Sequence, residues 1–152
     1  TMNVSSARWP PLSSSKNFLT PADFAMTTPF ICVFIAFLFL FVTKLPIAVA
    51  QHRLGGYDNK HPRQQQAKLE GFGARALSAH KNAFEAFGPF AAAVIIAHLM
   101  QADPHRSSVL AITFLVARVG YEIAYLVNID YLRTFLWFIG LLSTIGLFLI
   151  AL

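Results

Sequence analysis

Residues 30–51, 75–100, 109–127 and 131–152 are almost continuously apolar. Each run can cross a hydrocarbon core, which takes about 20 helical residues. None alternates with the period of a barrel strand, and in lipid only helices or closed barrels satisfy the backbone. The pattern predicts an all-α membrane protein, a bundle of four transmembrane helices within residues 26–152. The polar interruptions are few: Lys44 and Pro46 in the first run, Lys81, Asn82 and Glu85 in the second, Arg118, Tyr121, Glu122 and Tyr125 in the third. An ionised group inside hydrocarbon costs at least ~2.5–3.5 kcal/mol on insertion scales, so such groups generally have partners and a task.

Residues 1–25 read differently, with Pro10-Pro11 and a Ser13–Lys16 polar stretch and no helical period. They are expected to form a disordered tail. The sequon at Asn3-Val4-Ser5 is weak evidence at a terminus. Residues 26–50 end in Ala48-Val49-Ala50, like a signal-peptidase site. No positive charge precedes the apolar run from Met26, however, and Lys44 interrupts it, so an uncleaved span is the stronger reading.

Composition sharpens the class. The chain is 56% hydrophobic and 12% charged, whereas a soluble domain is about 25% charged. One cysteine, Cys32, excludes a disulfide framework within the chain. The net charge of +5 comes largely from Arg53, Lys60, Arg63, Lys68 and Arg75, between the first two spans. That clustering points to a membrane surface rather than to nucleic acid. By the positive-inside rule this loop is cytoplasmic and both termini lie on the opposite side.

Helical rise then gives depth. Lys81 lies roughly 9 Å, and Arg118 roughly 14 Å, from the cytoplasmic ends of their spans. Lys44, Asn82, Glu85, Tyr121, Glu122, Tyr125, Arg133 and Thr134 fall in the same half. Lys81, Asn82 and Glu85 share a helix face at spacings of three and four. Arg118, Tyr121, Glu122 and Tyr125 form one stripe at offsets 0, 3, 4 and 7. The bland alternative is that Lys81–Glu85 and Arg118–Glu122 are internal ion pairs that only specify packing. The set offers cations, carboxylates, an amide and phenols, and suits a small zwitterion carrying more than one carboxylate. The histidines are scattered and give no metal-site spacing. GFGARA at residues 71–76 follows a glutamine-rich loop rather than a strand, so it is no dinucleotide fingerprint.

AHKNAFEAFGPF at residues 79–90, RVGYEIAYL at 118–126, and Arg133-Thr134 closely resemble the MAPEG family, membrane-associated proteins in eicosanoid and glutathione metabolism. The likeness covers residues 44–152, strongly in the second and third spans and loosely in the first loop and fourth span. It implies a homotrimer with glutathione bound between subunits near the cytosolic side. It also implies glutathione contacts at Lys81, Asn82, Glu85, Arg118 and Tyr121, with Glu122 on the same stripe and Arg53 a further contact. Arg133 matches an arginine that stabilises the thiolate in catalytic members, assisted by Thr134 or Tyr125. There are departures. Lys81 and Ser78 stand where an eicosanoid-synthesising relative has arginines, and Tyr121 replaces a histidine. The first loop, GGYDNKHPR at 55–63, looks more like bacterial members.

The resulting expectation is a glutathione-dependent transferase or peroxidase acting on lipophilic electrophiles, which enter from membrane lipid past Phe84, Phe87 and Phe135. Any one of these phenylalanines is equally accounted for as a lipid-facing or packing aromatic. The alternative is a non-catalytic, lipid-binding member. A transporter is a poorer fit, since the spans show neither inverted repeats nor glycine-broken helices.

Overall fold

The computed structural model describes residues 27–152, so the expected tail at 1–25 lies outside the described residues. The chain forms α1 (Thr28–Val42), α2 (Lys44–Arg53), α3 (Pro62–Ala67), α4 (Gly71–Leu99), α5 (Pro104–Leu126) and α6 (Asp130–Leu149). Four helical spans, Thr28–Arg53, Gly71–Leu99, Pro104–Leu126 and Asp130–Leu149, are long and apolar enough to cross a membrane. The fold is the expected all-α, four-span bundle.

Three details differ from the sequence reading. The first span is broken at Thr43 between α1 and α2. Pro46 has no N–H for the carbonyl four residues back and its ring crowds that carbonyl, which favours a break here. The buried Thr43 hydroxyl bonds the Leu40 carbonyl at 2.9 Å and meets Nδ1 of His80 at 2.7 Å, which fastens the break to α4. Second, α4 and α5 begin at Gly71 and Pro104, ahead of residues 75 and 109. Hydropathy marks where lipid begins, whereas a helix can run on into the interface. Third, the first loop contains α3. Gln65 organises it, accepting from Gln51 Nε2 at 2.8 Å and from the Asp58 N–H at 3.1 Å.

The core is built for close approach rather than for bulk. α4 buries Gly73, Ala76, Ala79, Ala83, Ala93 and Ala97 in one stripe. Between helices in lipid no water is expelled, so contact depends on small residues that let backbones come near. A Cβ on Gly73 would lie 3.0 Å from both Ala50 Cβ and Leu69 Cδ2. The large exception is Phe90, fully buried and stacked on Phe114 of α5 at 3.8 Å between centroids, 6° from parallel. α5 and α6 are joined by a tight turn in which Asn128 takes φ +64°. There the N–H of Ile129 bonds the Ala124 carbonyl at 2.9 Å and that of Asn128 the Tyr125 carbonyl at 3.2 Å. This left-handed cap closes α5, which therefore hands its last turn directly to the start of α6.

Candidate functional site

Three helices contribute to one polar relay. On α4, Asn82 and Glu85 are three residues apart and face the same way, so Asn82 Nδ2 donates to Glu85 Oε2 at 3.1 Å. Its Oδ1 accepts from Arg118 Nη2 of α5 at 2.7 Å. This amide orientation serves both neighbours at once, an acceptor toward the cation and a donor toward the carboxylate. The Arg118 carbon Cζ lies 4.4 Å from the centroid of Tyr121. Tyr121 meets Tyr125 edge to face at 5.6 Å, and Arg133 of α6 sits 4.5 Å over the Tyr125 ring. The order Glu85, Asn82, Arg118, Tyr121, Tyr125, Arg133 is continuous, two hydrogen bonds followed by a cation–π, an aromatic and a second cation–π contact.

The internal-pair alternative is not realised. Among the described residues the one ion pair is His61–Asp58, at 3.5 Å in the first loop. Lys81 and Glu85 are both exposed on α4 without forming one. Glu122 is 6% exposed and neither carboxylate oxygen has a hydrogen-bond partner. It shares the helix stripe but stands outside the relay. Arg53 is exposed at the end of α2 and forms no ion pair with the relay among the described residues. Thr134 is exposed beside Arg133, and its hydroxyl donates to the Asp130 carbonyl at 3.0 Å.

Lys81 opens toward the other side of α4. It lines a cavity of about 630 Å³ with Lys44, Tyr57, Arg63, His80 and Glu85. Adjacent residues on a helix diverge by about 100°, which is why Lys81 and Asn82 reach different spaces. Glu85, at the rim, lines this basic cavity and also a groove of about 210 Å³ that contains Asn82 and Arg118. Of these residues, Tyr57 and Arg63 were not assigned to a site by the sequence, because they reach this cavity only when the first loop folds back on α4; His80, counted there only among scattered histidines, stands beside Lys81 on α4. Lys44 had a signal in its depth, but none that placed it beside Lys81.

In the first loop the Asp58 carboxylate accepts the backbone N–H of Lys60 at 2.9 Å and of His61 at 3.0 Å. These bonds, that from His61 foremost, hold its pKa below the usual carboxylate value. Among the described residues no cluster of His, Cys, Asp or Glu has the make-up of a metal site.

Phe84 and Phe135 are exposed, Phe84 at the lining of the basic cavity and edge-on to His80 at 5.1 Å. Phe87 instead packs toward Phe37, 6.2 Å between centroids. No curated protein and no solved structure matches the chain significantly. A family model does match, over residues 28–152, which takes in all four spans and every member of the relay. The chain, an integral multi-pass membrane protein by its four apolar spans, therefore belongs to the MAPEG family.

Proposed function

We propose that this protein binds glutathione along the relay and uses its thiolate against lipophilic electrophiles, as a transferase or peroxidase. The observation that carries the reading is the unbroken polar line from Glu85 to Arg133, within helices long and apolar enough to cross a membrane. Glutathione has two carboxylates, an ammonium and a thiol. Glu85 suits the ammonium, and Lys81 and the cavity behind it suit a carboxylate. Arg133 suits the thiol, because a neighbouring cation favours the thiolate and the thiolate is the nucleophile. Arg118 is largely covered; its part is to hold Asn82 and Tyr121 in place from below.

The relay and the basic cavity meet at Glu85 and open from α4 in different directions. A homotrimer, with glutathione between neighbouring copies, brings one subunit's relay against the next subunit's cavity. In this reading the basic first loop faces the cytosol. Lys81 keeps charge but lacks the two-pronged geometry of arginine. With Ser78 also uncharged, we infer a substrate preference apart from that of microsomal prostaglandin E synthase, whose motif the second span resembles, and nearer that of bacterial members.

The test is glutathione binding to the detergent-solubilised protein, followed by ultraviolet absorbance of the thiolate. Saturable binding is expected, with Arg133→Ala folding normally, losing the thiolate signal and losing conjugation of a model electrophile. Full turnover by that variant would sink the assignment.

A further inference from the structure

Glu122 is the buried acidic group that the relay leaves unused. It is 6% exposed, and neither of its carboxyl oxygens has a hydrogen-bond partner. Arg118 lies one turn before it on the same stripe of α5 and is equally covered. At a separation of four residues the two side chains can meet. They do not, because Arg118 donates to Asn82 of α4 instead, and no carboxylate pairs with it among the described residues.

That choice bears on the charge of Glu122. A carboxylate out of water and without a donor has nothing to offset its charge, and the guanidinium one turn away is its nearest partner. A neutral carboxyl group leaves only ordinary polar atoms unpaired, which costs far less. The observed arrangement, with Arg118 on Asn82, is therefore that of the protonated acid. Once ionised, the carboxylate competes with a neutral amide for the same cation, and a charge-assisted, two-pronged pair is the stronger contact.

The other titratable groups nearby are engaged elsewhere. On α5, Tyr121 lies under the Arg118 guanidinium. On α4, Glu85 accepts from Asn82, Arg75 donates to the Leu126 carbonyl at 3.4 Å and His80 meets Thr43. Lys44 of α2 lines the basic cavity, Arg133 of α6 sits over Tyr125, and α1 carries no charged side chain. Arg118 also has room to move. Its stem passes Gly140 of α6, where a Cβ would lie 3.4 Å from Cδ, and the groove of about 210 Å³ opens beside it.

We propose that Glu122 is a buried proton-binding site that acts as a latch on Arg118. Protonated, it leaves Arg118 on Asn82 and the relay continuous. Ionised, having released its proton to water, it draws Arg118 along α5 and detaches Asn82 from the rest of the relay. Glu122 is thus a positioning residue that works through Arg118. Its effect on glutathione rests on the reading above; the latch does not.

The test is thermal unfolding of the purified protein in detergent across pH. The Arg118–Asn82 contact belongs to the protonated acid, so its stabilisation is present at low pH and lost as pH rises through the ionisation of Glu122 in the fold. Asn82→Leu is accordingly expected to lower the unfolding temperature at acidic pH, and the gap from wild type to close as pH rises. In a Glu122→Gln background, which imitates the neutral acid, the gap is expected to stay constant. A wild-type gap that does not change with pH overturns the latch, and so does a gap that closes equally in Glu122→Gln. Infrared difference spectra of the wild type give a second measurement that requires no variant to fold. Glu122 is the one buried acid among the described residues. A neutral carboxyl band is expected at a pH just above the ordinary carboxylate range, and is expected to vanish at alkaline pH; its absence overturns the proposal. Glutathione affinity, measured on the same samples, is expected to fall about tenfold at alkaline pH in wild type relative to Glu122→Gln, as for a lost charged hydrogen bond. Comparing the two proteins cancels the titration of glutathione itself. Equal affinities at every pH overturn the positioning role, whereas no glutathione binding by either protein removes the reading above and leaves the latch standing.

Discussion

Arg118 reaches from α5 to α4 and donates to Asn82 Oδ1 over 2.7 Å, whereas Glu122, one turn along its own helix, forms no ion pair with it. The buried cation is therefore held by a neutral amide from another helix, and the contact sets how α4 and α5 lie against each other. Asn82→Leu is expected to destabilise the folded protein by about 1.5–3 kcal/mol, the usual worth of a hydrogen bond to a charged group. Asn82→Asp keeps an acceptor and should lose less. Thermal unfolding of the purified protein in detergent measures both; equal losses would mean that the amide acceptor is not what matters.

In the proposed reaction, Tyr125 and Thr134 are the two candidate donors to a thiolate beside Arg133. The Thr134 hydroxyl has its one proton committed to the Asp130 carbonyl, and Tyr125 makes no side-chain hydrogen bond among the described residues. Tyr125→Phe keeps the ring beneath Arg133 and removes the donor, so turnover is expected to fall about tenfold or more, as for a lost charged hydrogen bond. Thr134→Val should leave turnover nearly unchanged. Steady-state conjugation of a model electrophile decides, and the opposite ranking would transfer the role to Thr134.

The first loop should show acid sensitivity at Asp58. Its carboxyl is held below its ordinary value of 3.8 in the folded loop. The stabilisation is therefore fully present above the unfolded pKa, and is lost as pH falls through the lower folded value. Amide exchange at Lys60 and His61 is expected to stay slow at mildly acidic pH and to accelerate only below the usual carboxylate range. In Asp58→Ala both amides should exchange fast at neutral pH as well, and protection equal to wild type would remove the carboxylate from the loop's support.

Phe90→Ala opens a hole against Phe114 where α4 and α5 press together. A buried phenylalanine truncated to alanine costs about 3–5 kcal/mol in water-soluble cores, and the lower part of that range is expected here because lipid replaces the water term. Loss of stability in the same detergent assay, with glutathione affinity kept in the surviving folded fraction, is the anticipated result.

Much of this was legible one-dimensionally. A period-free apolar run has one stable form in lipid, so the number of spans followed from length and hydropathy. Helical spacing put Arg118, Tyr121 and Tyr125 on one stripe, and the contacts from Asn82 to Arg133 follow that stripe over two turns of α5. Helical spacing also grouped Asn82 with Glu85, which do bond.

What spacing could not decide was which neighbour a charged group takes. Lys81–Glu85 and Arg118–Glu122 have the separation of ion pairs, yet neither forms, because a side chain that long chooses among all helices within reach. The packing of α4 on α5 offered Arg118 an amide, and the fold of the first loop brought Arg63 to the cavity that Lys44 and Lys81 line. The groove beside Gly140 is likewise a property of α4, α5 and α6 together. Sequence determined the helices and which polar residues share a helix stripe, since both are local consequences of the backbone. Tertiary structure alone decided the pairings, the cavities and the path from Glu85 to Arg133, since these depend on distances between segments far apart in the chain.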